Sequence, residues 1–522
     1  MMACGQQASA AVIGLVLCAC APLTDEVFIP GEAIVSPRLR IDESAGVVEV
    51  PVRLAQPRDR DFSLAYHLVG IDAQDDCQEP DFGAADGRVE WMAGTSEAFV
   101  PIWIADDDLA ERDERFELRF EAAGGPSVTP LGTVEIAIAD NDRSAVLDAS
   151  EWGVRPGVAD EQSAALQAAL DHAAELGRAV VVMAPGAYQI SSVSLSPGTT
   201  LSAHGVTWHR PALSAATTVS LRVQHAGTEA SPRTLVEGLT IHGQREEQGA
   251  YRDHQLDDAH LVVVSGDPEQ GGTVRATLER VALTSGTSSG LFVGPDSQVT
   301  VCHLGASELW RDALTLYGGE TVLRVRDLDA TASQGTGLWL GARLPAFGDS
   351  YRVDVELEDV HAGAGDVEVE VSEGSRVSLR RLTMTEPTFR LDAQGGSVRI
   401  EDSVLALGPP GLLTSWTAPH DVEITRTSLL AFAPAPSETP VTSAAISLRS
   451  LSFSPAPPSP GTGHLGFVDC RFEQAGKGGP EDTVYAITNP LANTSVTVAS
   501  SALGAGFTDW FAPECSGCVQ TP

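Results

Sequence analysis

Three short apolar stretches decide what most of this chain can fold into. Ser289-Gly-Leu-Phe-Val293, Asp312-Ala-Leu-Thr-Leu316 and Thr336-Gly-Leu-Trp-Leu340 repeat one pattern at spacings of 23 and 24 residues. That is the period of a solenoid in which each coil is one small supersecondary unit. Val355, Val377, Val398 and Val422 carry the period on at 21 to 24 residues. A lone coil cannot bury its apolar side, whereas stacked coils share a continuous core. The Leu-x-x-Leu-x-Leu frame of a leucine-rich horseshoe is missing, so the pattern predicts a right-handed parallel β-helix. At 522 residues the chain exceeds one domain, and 43% hydrophobic with 20% charged residues excludes wholesale disorder.

Ahead of the repeats, Asp160 to Gly177 reads as a helix. Asp160 is placed to cap it, Leu166, Leu170 and Ala173 share one face, and Gly177 suits its exit. A buried type of strand, Ala179 to Met183, follows, then Pro185-Gly-Ala-Tyr188 and Pro197-Gly-Thr-Thr-Leu201. Trp152 to Gly205 thereby resembles the N-terminal part of the pectate-lyase-like superfamily. The resemblance implies that the helix covers the open edge of the first coil, and that a polysaccharide lies along the outer face of the repeats. Glu151-Trp-Gly-Val-Arg-Pro-Gly157 departs from that family's Phe-Gly-Ala-x-Gly-Asp-Gly opening. The polygalacturonase motifs Asn-Thr-Asp, Gly-Asp-Asp, Gly-His-Gly and Arg-Ile-Lys are absent, as is the epimerase Asp-Pro-His.

The earlier segment, from Val35 to Asp142, has a different rhythm. Gly46 to Leu54, Phe62 to Val69, Ala98 to Ile104, Phe116 to Ala122 and Gly132 to Ala139 alternate apolar and polar residues between turn signals, the pattern of an all-β sandwich. Its acids crowd the strand ends: Asp106-Asp107-Asp108, then Glu111, Asp113 and Glu114, and a closing Asp140-Asn-Asp142. Carboxylates packed this densely repel one another unless a hard cation neutralises them, and an oxygen-only set suits Ca²⁺. A solvated acidic loop is the alternative. Ile41-Asp-Glu43-Ser-Ala-Gly46, Pro80-Asp81-Phe82, Ile104 to Phe116 and Ala139 to Asp142 resemble, in order, the motifs of a Calx-beta domain. That resemblance implies calcium as the cofactor and Glu43, Asp81, Asp106, Asp107, Glu111, Asp140 and Asp142 as ligands, with Asp108 as a further candidate. The organisation expected is a signal over 1–20, a linker over 21–34, the sandwich over 35–142 and the β-helix over 143–522.

The apolar run Ala10 to Leu17 is too short to span a bilayer but suits the core of an export signal. Leu17-Cys-Ala-Cys20 resembles a bacterial lipobox, which implies lipidation of Cys20. Ala21 after it implies sorting to the outer membrane or cell surface, with ordinary secretion as the alternative. No Lys or Arg precedes the apolar run. Outside the signal, Cys77, Cys302, Cys470, Cys515 and Cys518 are odd in number, so they cannot all pair within one chain. Cys515 and Cys518 are spaced to close a small terminal loop.

Charge narrows the partners. Asp and Glu number 71 against 33 Lys and Arg, and a formal charge of −38 repels nucleic acid and anionic lipid. A polyuronate is disfavoured for the same reason unless cations bridge it, which leaves neutral or calcium-bridged glycans. With the apolar positions of the coils turned inward, strand alternation puts Phe292, Thr315 and Trp339 on the outer face. An exposed aromatic column can stack on sugars, with Arg311 beside it. The competing reading is that the segment from Arg343 to Ser350 covers it. For catalysis, hydrolysis needs two carboxylates about 5 to 9.5 Å apart. Asp312 leads, and Asp258 falls at a similar place two coils earlier. Asp312 as a turn residue holding a backbone N–H is the structural alternative. An eliminating lyase would need a base, and Lys477, the only lysine, lies far from the aromatic column. The function expected is polysaccharide binding without catalysis, the alternative being a glycosidase or polysaccharide lyase.

Overall fold

A computed structural model describes residues 27–29, 38–54, 56–71, 81–83, 86–121, 132–211, 219–225, 231–247, 259–266, 272–332, 337–341, 352–363, 366–385, 389–407, 412–432, 442–449, 463–475, 483–488, 494–503, 509–511 and 518–521. Cys20, Cys77, Asp258, Lys477, Cys515 and the segment 343–350 lie outside the described residues. The chain divides into two compact bodies, each described here by itself, and residues 106–112 and 140–522 belong to the larger.

The smaller body is a sandwich. Its three-stranded sheet joins Val27–Ile29, Val47–Leu54 and Glu97–Trp103. Its five-stranded sheet runs Arg38–Asp42, Gly132–Ala139, Glu114–Glu121, Phe62–Gly70 and Gly87–Trp91. Arg38–Asp42 and Gly87–Trp91 are strands that the alternation did not single out. Between the sheets, Val50, Val52, Val100, Ile102, Phe116, Leu118, Phe120, Val134 and Ile136 are buried. These are the alternate residues of each strand, as a sheet with one dry face requires.

The larger body is a parallel β-helix. Short strands Leu221–His225, Val262–Gly266, Leu291–Val293, Leu314–Tyr317, Leu338–Gly341 and Val367–Ser372 pair in parallel, each with the next. Long strands, among them Val274–Thr284, Ser297–Ser307, Glu320–Ala332, Arg352–Ala362 and Arg376–Met384, form the rest of the wall. Leu291, Leu314 and Leu338 align and are fully buried, as are Val293, Leu316 and Leu340.

The valines predicted to continue this column do not. Val355, Val377, Val398 and Val422 align with one another on the long strands. The leucine column passes instead to Val367 and Phe389. Both series keep the coil period because every coil contributes one strand to each wall, so spacing alone cannot tell the walls apart.

The long-strand wall bends, within a strand or just after one, where one residue takes the left-handed conformation. Gly205 and Gly238 do this in early coils, and Arg280, His303, Asp327, Asp359, Arg381, Asp402, Arg426, Asp469 and Ser500 do it later at φ of 48 to 60°. Such angles strain a residue with a Cβ. Here neighbouring corners support one another: His303 pairs with Asp327 at 2.6 Å, Arg381 with Asp359 at 2.6 Å and Arg426 with Asp402 at 2.6 Å.

The helix spans Ser163–Leu176 and buries Leu166, Ala169, Leu170 and Ala173 against the first coils. Gly177 closes it, donating to Ala173 and Ala174. Asp160 is not the cap. Glu161 is still bridged to Gln189, so the backbone turns into the helix only at Gln162, and the Glu161 carboxylate accepts from the Ser163 N–H at 2.9 Å. Cys302 and Cys518 each belong to a disulfide, and Cys470 is a buried free thiol. Among the described residues no helix is long and apolar enough to cross a membrane.

Candidate functional site: an aromatic column and an acidic corner

Register builds the column. Phe292 pairs with Thr315 and Thr315 with Trp339, so the three share the outward face of the short-strand wall. Their environments differ. Phe292 and Trp339 are partly exposed, whereas Thr315 is 2% exposed. The ring that fills the gap is Tyr317, two residues along the same strand and on the same face. Phe292 and Tyr317 have ring centroids 5.1 Å apart, as do Tyr317 and Trp339. His260 extends the column on the other side, stacked on Phe292 at 4.6 Å. These are separations at which aromatic rings attract. Tyr317 was legible from alternation, because Leu316 points inward; His260 precedes its strand and carries no such signal.

Glycine makes room for the last ring. A Cβ on Gly341 would stand 2.9 Å from the Trp339 indole nitrogen. That nitrogen is buried with no hydrogen-bond partner among the described residues. The indole therefore lies across the wall with one edge inward and part of its surface open.

Asp312 lies beneath this column, 3% exposed. Its carboxylate accepts from the Thr315 hydroxyl at 2.7 Å and the Ser289 hydroxyl at 3.4 Å. It therefore holds side-chain hydroxyls rather than the backbone N–H of a turn. Burial pushes its pKa up, the two hydroxyls and the Arg311 guanidinium pull it down, and the Glu368 carboxylate pushes it up. Arg311 is thus within electrostatic reach of Asp312. With Asp258 outside the described residues, the carboxylate pair expected from the sequence has no described separation.

Another groove, of about 380 Å³, lies on the long-strand wall between Thr300, Arg324, Arg326, Glu356, Glu358 and Arg380. Its charges satisfy one another: Arg324 pairs with Glu356 at 3.0 Å and with Asp354 at 3.3 Å, and Arg380 with Glu358 at 3.2 Å. Its arginines and glutamates are already engaged with one another.

The acidic residues form two groups. Within the larger body Asp106 and Asp142 each offer a carboxylate oxygen, and these atoms lie within 4.8 Å of each other; within the smaller body Asp81 and Glu114 do the same. Glu114 is an addition to the residues expected. Asp140 and Asp107 belong to neither group, because both organise the backbone. Asp140 accepts from the N–H groups of Glu111 and Asp142, both at 2.6 Å, and Asp107 from that of Leu109 at 2.6 Å. Asp108 is turned to other work, pairing with Arg275 at 3.0 Å and Arg233 at 3.5 Å within the larger body. Burial raises the Asp142 pKa, Arg178 lowers it, and Asp140, Asp106 and Asp108 raise it. Hard oxygen donors at such distances fit a divalent cation of the calcium type.

The family comparison bears on this corner. Residues 33–142 match the Calx-beta domain. The match takes in both acidic groups. Among solved structures, the calcium binding domain CBD12 of CALX1.1 is 23% identical over 21% of this chain, with a TM-score of 0.18, and CBD12 from CALX1.2 is 26% identical over 21%, also at 0.18. The chain spans 47% and 44% of those two structures, less than half of each. A family 28 exopolygalacturonase of Yersinia enterocolitica is 10% identical, covering 92% of this chain and 100% of its own at a TM-score of 0.42. The A-module of the mannuronan C-5 epimerase AlgE4 of Azotobacter vinelandii is 13% identical, covering 72% and 100% at 0.40. Among curated proteins, no relative matches the sequence.

Proposed function

We propose that this chain binds polysaccharide along the short-strand wall of its β-helix, that its Calx-beta segment binds calcium, and that a lipid on Cys20 holds it at the outer membrane or cell surface. The observation that carries the binding reading is the column His260, Phe292, Tyr317 and Trp339, whose last three rings are partly open on this wall. Ring faces stack on the C–H face of a pyranose, and removing one such contact costs on the order of 1 kcal/mol. A glycan-array screen of the full chain beside Trp339→Ala tests it. The reading requires at least one hit that weakens several-fold in the variant, and an array with no hit overturns it.

For calcium, donor chemistry supports Asp106 with Asp142 and Asp81 with Glu114 as ligands, the Calx-beta match adds Glu43 and Glu111 as further candidates, and Asp140 and Asp107 hold backbone N–H groups nearby in the chain. A ligand that binds only the folded state adds about 2.7 kcal/mol at a hundredfold excess over its Kd. Melting in calcium should therefore exceed melting in chelator, and the gap should close in Asp106→Ala. Coincident curves for the parent reject the site. For the anchor, Cys20→Ser should leave the membrane fraction while Cys18→Ser stays in it; equal partition of both with the parent would reject the lipobox.

One observation favours hydrolysis as a second reading. Asp312 is a buried carboxyl whose pKa burial raises, the direction a general acid needs, and Glu368 is close enough to perturb it. Two strands separate their coils, about 9.6 Å, near the upper limit for an inverting pair. New reducing ends from any array hit, lost in Asp312→Asn, would replace binding by hydrolysis. No product keeps the first reading.

A further inference from the structure

The acids at the corner of the larger body are each engaged, and by different partners. Asp108 pairs with Arg275 at 3.0 Å and with Arg233 at 3.5 Å. Asp140 pairs with Arg143 at 3.6 Å, and the Arg143 guanidinium also donates to the Glu111 carbonyl at 2.9 Å. Asp106 accepts from the Asn141 amide at 2.8 Å. Asp142 pairs with Arg178. Arg233, Arg275 and Arg143 thus hold acids that stand outside the Asp106–Asp142 pair, whereas Arg178 holds a member of it. Backbone fixes that contact. The Ser144 N–H, two residues after Asp142, donates to the Arg178 carbonyl at 2.8 Å. From there Ala145–Asp148 and Ala179–Val182 run in parallel register as the first rung of the β-helix. The Arg178 side chain is 40% exposed and that of Asp142 17%, so the guanidinium has room to turn into solvent while the carboxylate stays in place.

We propose that Arg178 is a built-in competitor for the cation at this corner: calcium and the Arg178 guanidinium take the Asp142 carboxylate in turn, so the first rung of the β-helix sets how tightly calcium is held. The inference rests on the calcium reading above and adds what tunes it. Two effects work in the same direction. A carboxylate oxygen that accepts from a guanidinium has less to give a metal ion, and calcium gathers six to eight oxygens at close range. A fixed positive charge beside the site also repels a divalent ion, only partly screened at such short range. With no cation bound, the same pairing relieves the crowding of Asp142 by the carboxylates of Asp140, Asp106 and Asp108. Arg178 therefore stabilises the calcium-free corner and opposes the loaded one. Arg143, Arg233 and Arg275 add to the local positive field, but each is spent on an acid outside the pair and occupies neither of its carboxylates.

The test is calorimetric titration of the full chain with calcium chloride, beside melting in calcium and in chelator. Arg178→Gln, which keeps a polar side chain without the charge, should bind calcium about tenfold tighter than the parent. In chelator the same variant should melt below the parent, because its acids lose a counterion. In saturating calcium it should melt level with the parent or above it. Damage to folding lowers both curves and does not tighten a ligand, so it cannot imitate that pattern. Arg324→Gln removes the same charge several coils away on the long-strand wall and should leave calcium affinity within about twofold of the parent. Equal tightening by Arg324→Gln would trace the effect to net charge and overturn the proposal. Weaker binding in Arg178→Gln overturns it as well, since Arg178 would then support the ligand carboxylate. If the parent binds calcium and Arg178→Gln gains nothing, competition fails while the calcium reading stands. If neither takes up calcium, both fail.

Discussion

Two surfaces of the β-helix are built over the same interior and finished in opposite ways. At the left-handed corners, charges alternate from coil to coil and engage each other: Asp359 with Arg381, Asp402 with Arg426, His303 with Asp327. On the short-strand wall, rings pack on rings and stay partly open. A surface whose groups satisfy one another has its ligand built in. It stabilises the coil and offers little to a partner, and the groove between Arg324 and Arg380 belongs to this class. Partly open rings are satisfied only by something laid on them. The difference separates structure from function without reference to depth of cavity.

The sharpest way to break this contrast is to remove the shared interior. Leu316→Ala deletes a fully buried side chain beneath the ring column and should cost about 2 to 5 kcal/mol. Denaturant melts should show that loss, with glycan affinity falling as well. A loss confined to glycan affinity would mean the coils are not one cooperative core.

Acid separates the surfaces next. Hydrogen bonds from Arg381 hold the Asp359 carboxyl below its ordinary pKa, and those from Arg426 do the same to Asp402. A depressed folded pKa adds stability that is present above the unfolded value and lost as pH falls through the folded one. Melting should therefore be level from about pH 5 to 8 and fall below about pH 4, less steeply in Asp359→Asn/Asp402→Asn. Asp312 has the opposite sign. Its raised pKa makes the charged form a cost at neutral pH, relieved as pH drops through that raised value. Asp312→Asn should melt no lower than the parent at pH 7. A marked fall would mean that the hydroxyl bonds outweigh burial.

Gly341→Ala should have a smaller, more selective effect. The added methyl meets the indole nitrogen of Trp339, so glycan affinity should fall several-fold while melting changes little. Equal affinity would detach Trp339 from the binding face. Smallest of all, Arg426→Lys at an exposed corner should barely move the melting curve, because solvent-exposed pairs contribute little.

How much of this was legible in the sequence follows from which signals are local. The coil period survives in Leu291, Leu314 and Leu338 because inward positions tolerate only apolar residues. The same constraint acts on Val355 and Val377, which is why one period ran through two walls. Phe292 and Trp339 could be placed by alternation, and Tyr317 obeys the same rule, obscured by the polar Thr315 between them. The hydroxyl bonds around Asp312 could not be read, since Ser289 and Thr315 reach it from two coils. Among the acids, Asp106 lies beside Asp142 and Asp81 beside Glu114, whereas Asp140 and Asp107 are drawn to backbone N–H groups that a motif does not display. Nor does a motif reveal that Arg233 and Arg275 claim Asp108.

The central claim is that the open rings, and not the ionic groove, hold the ligand. A crystal of the full chain soaked in mixed oligosaccharides tests it most directly. The account predicts sugar density across Phe292, Tyr317 and Trp339. Sugar seated between Arg324 and Arg380 with the rings bare would contradict it.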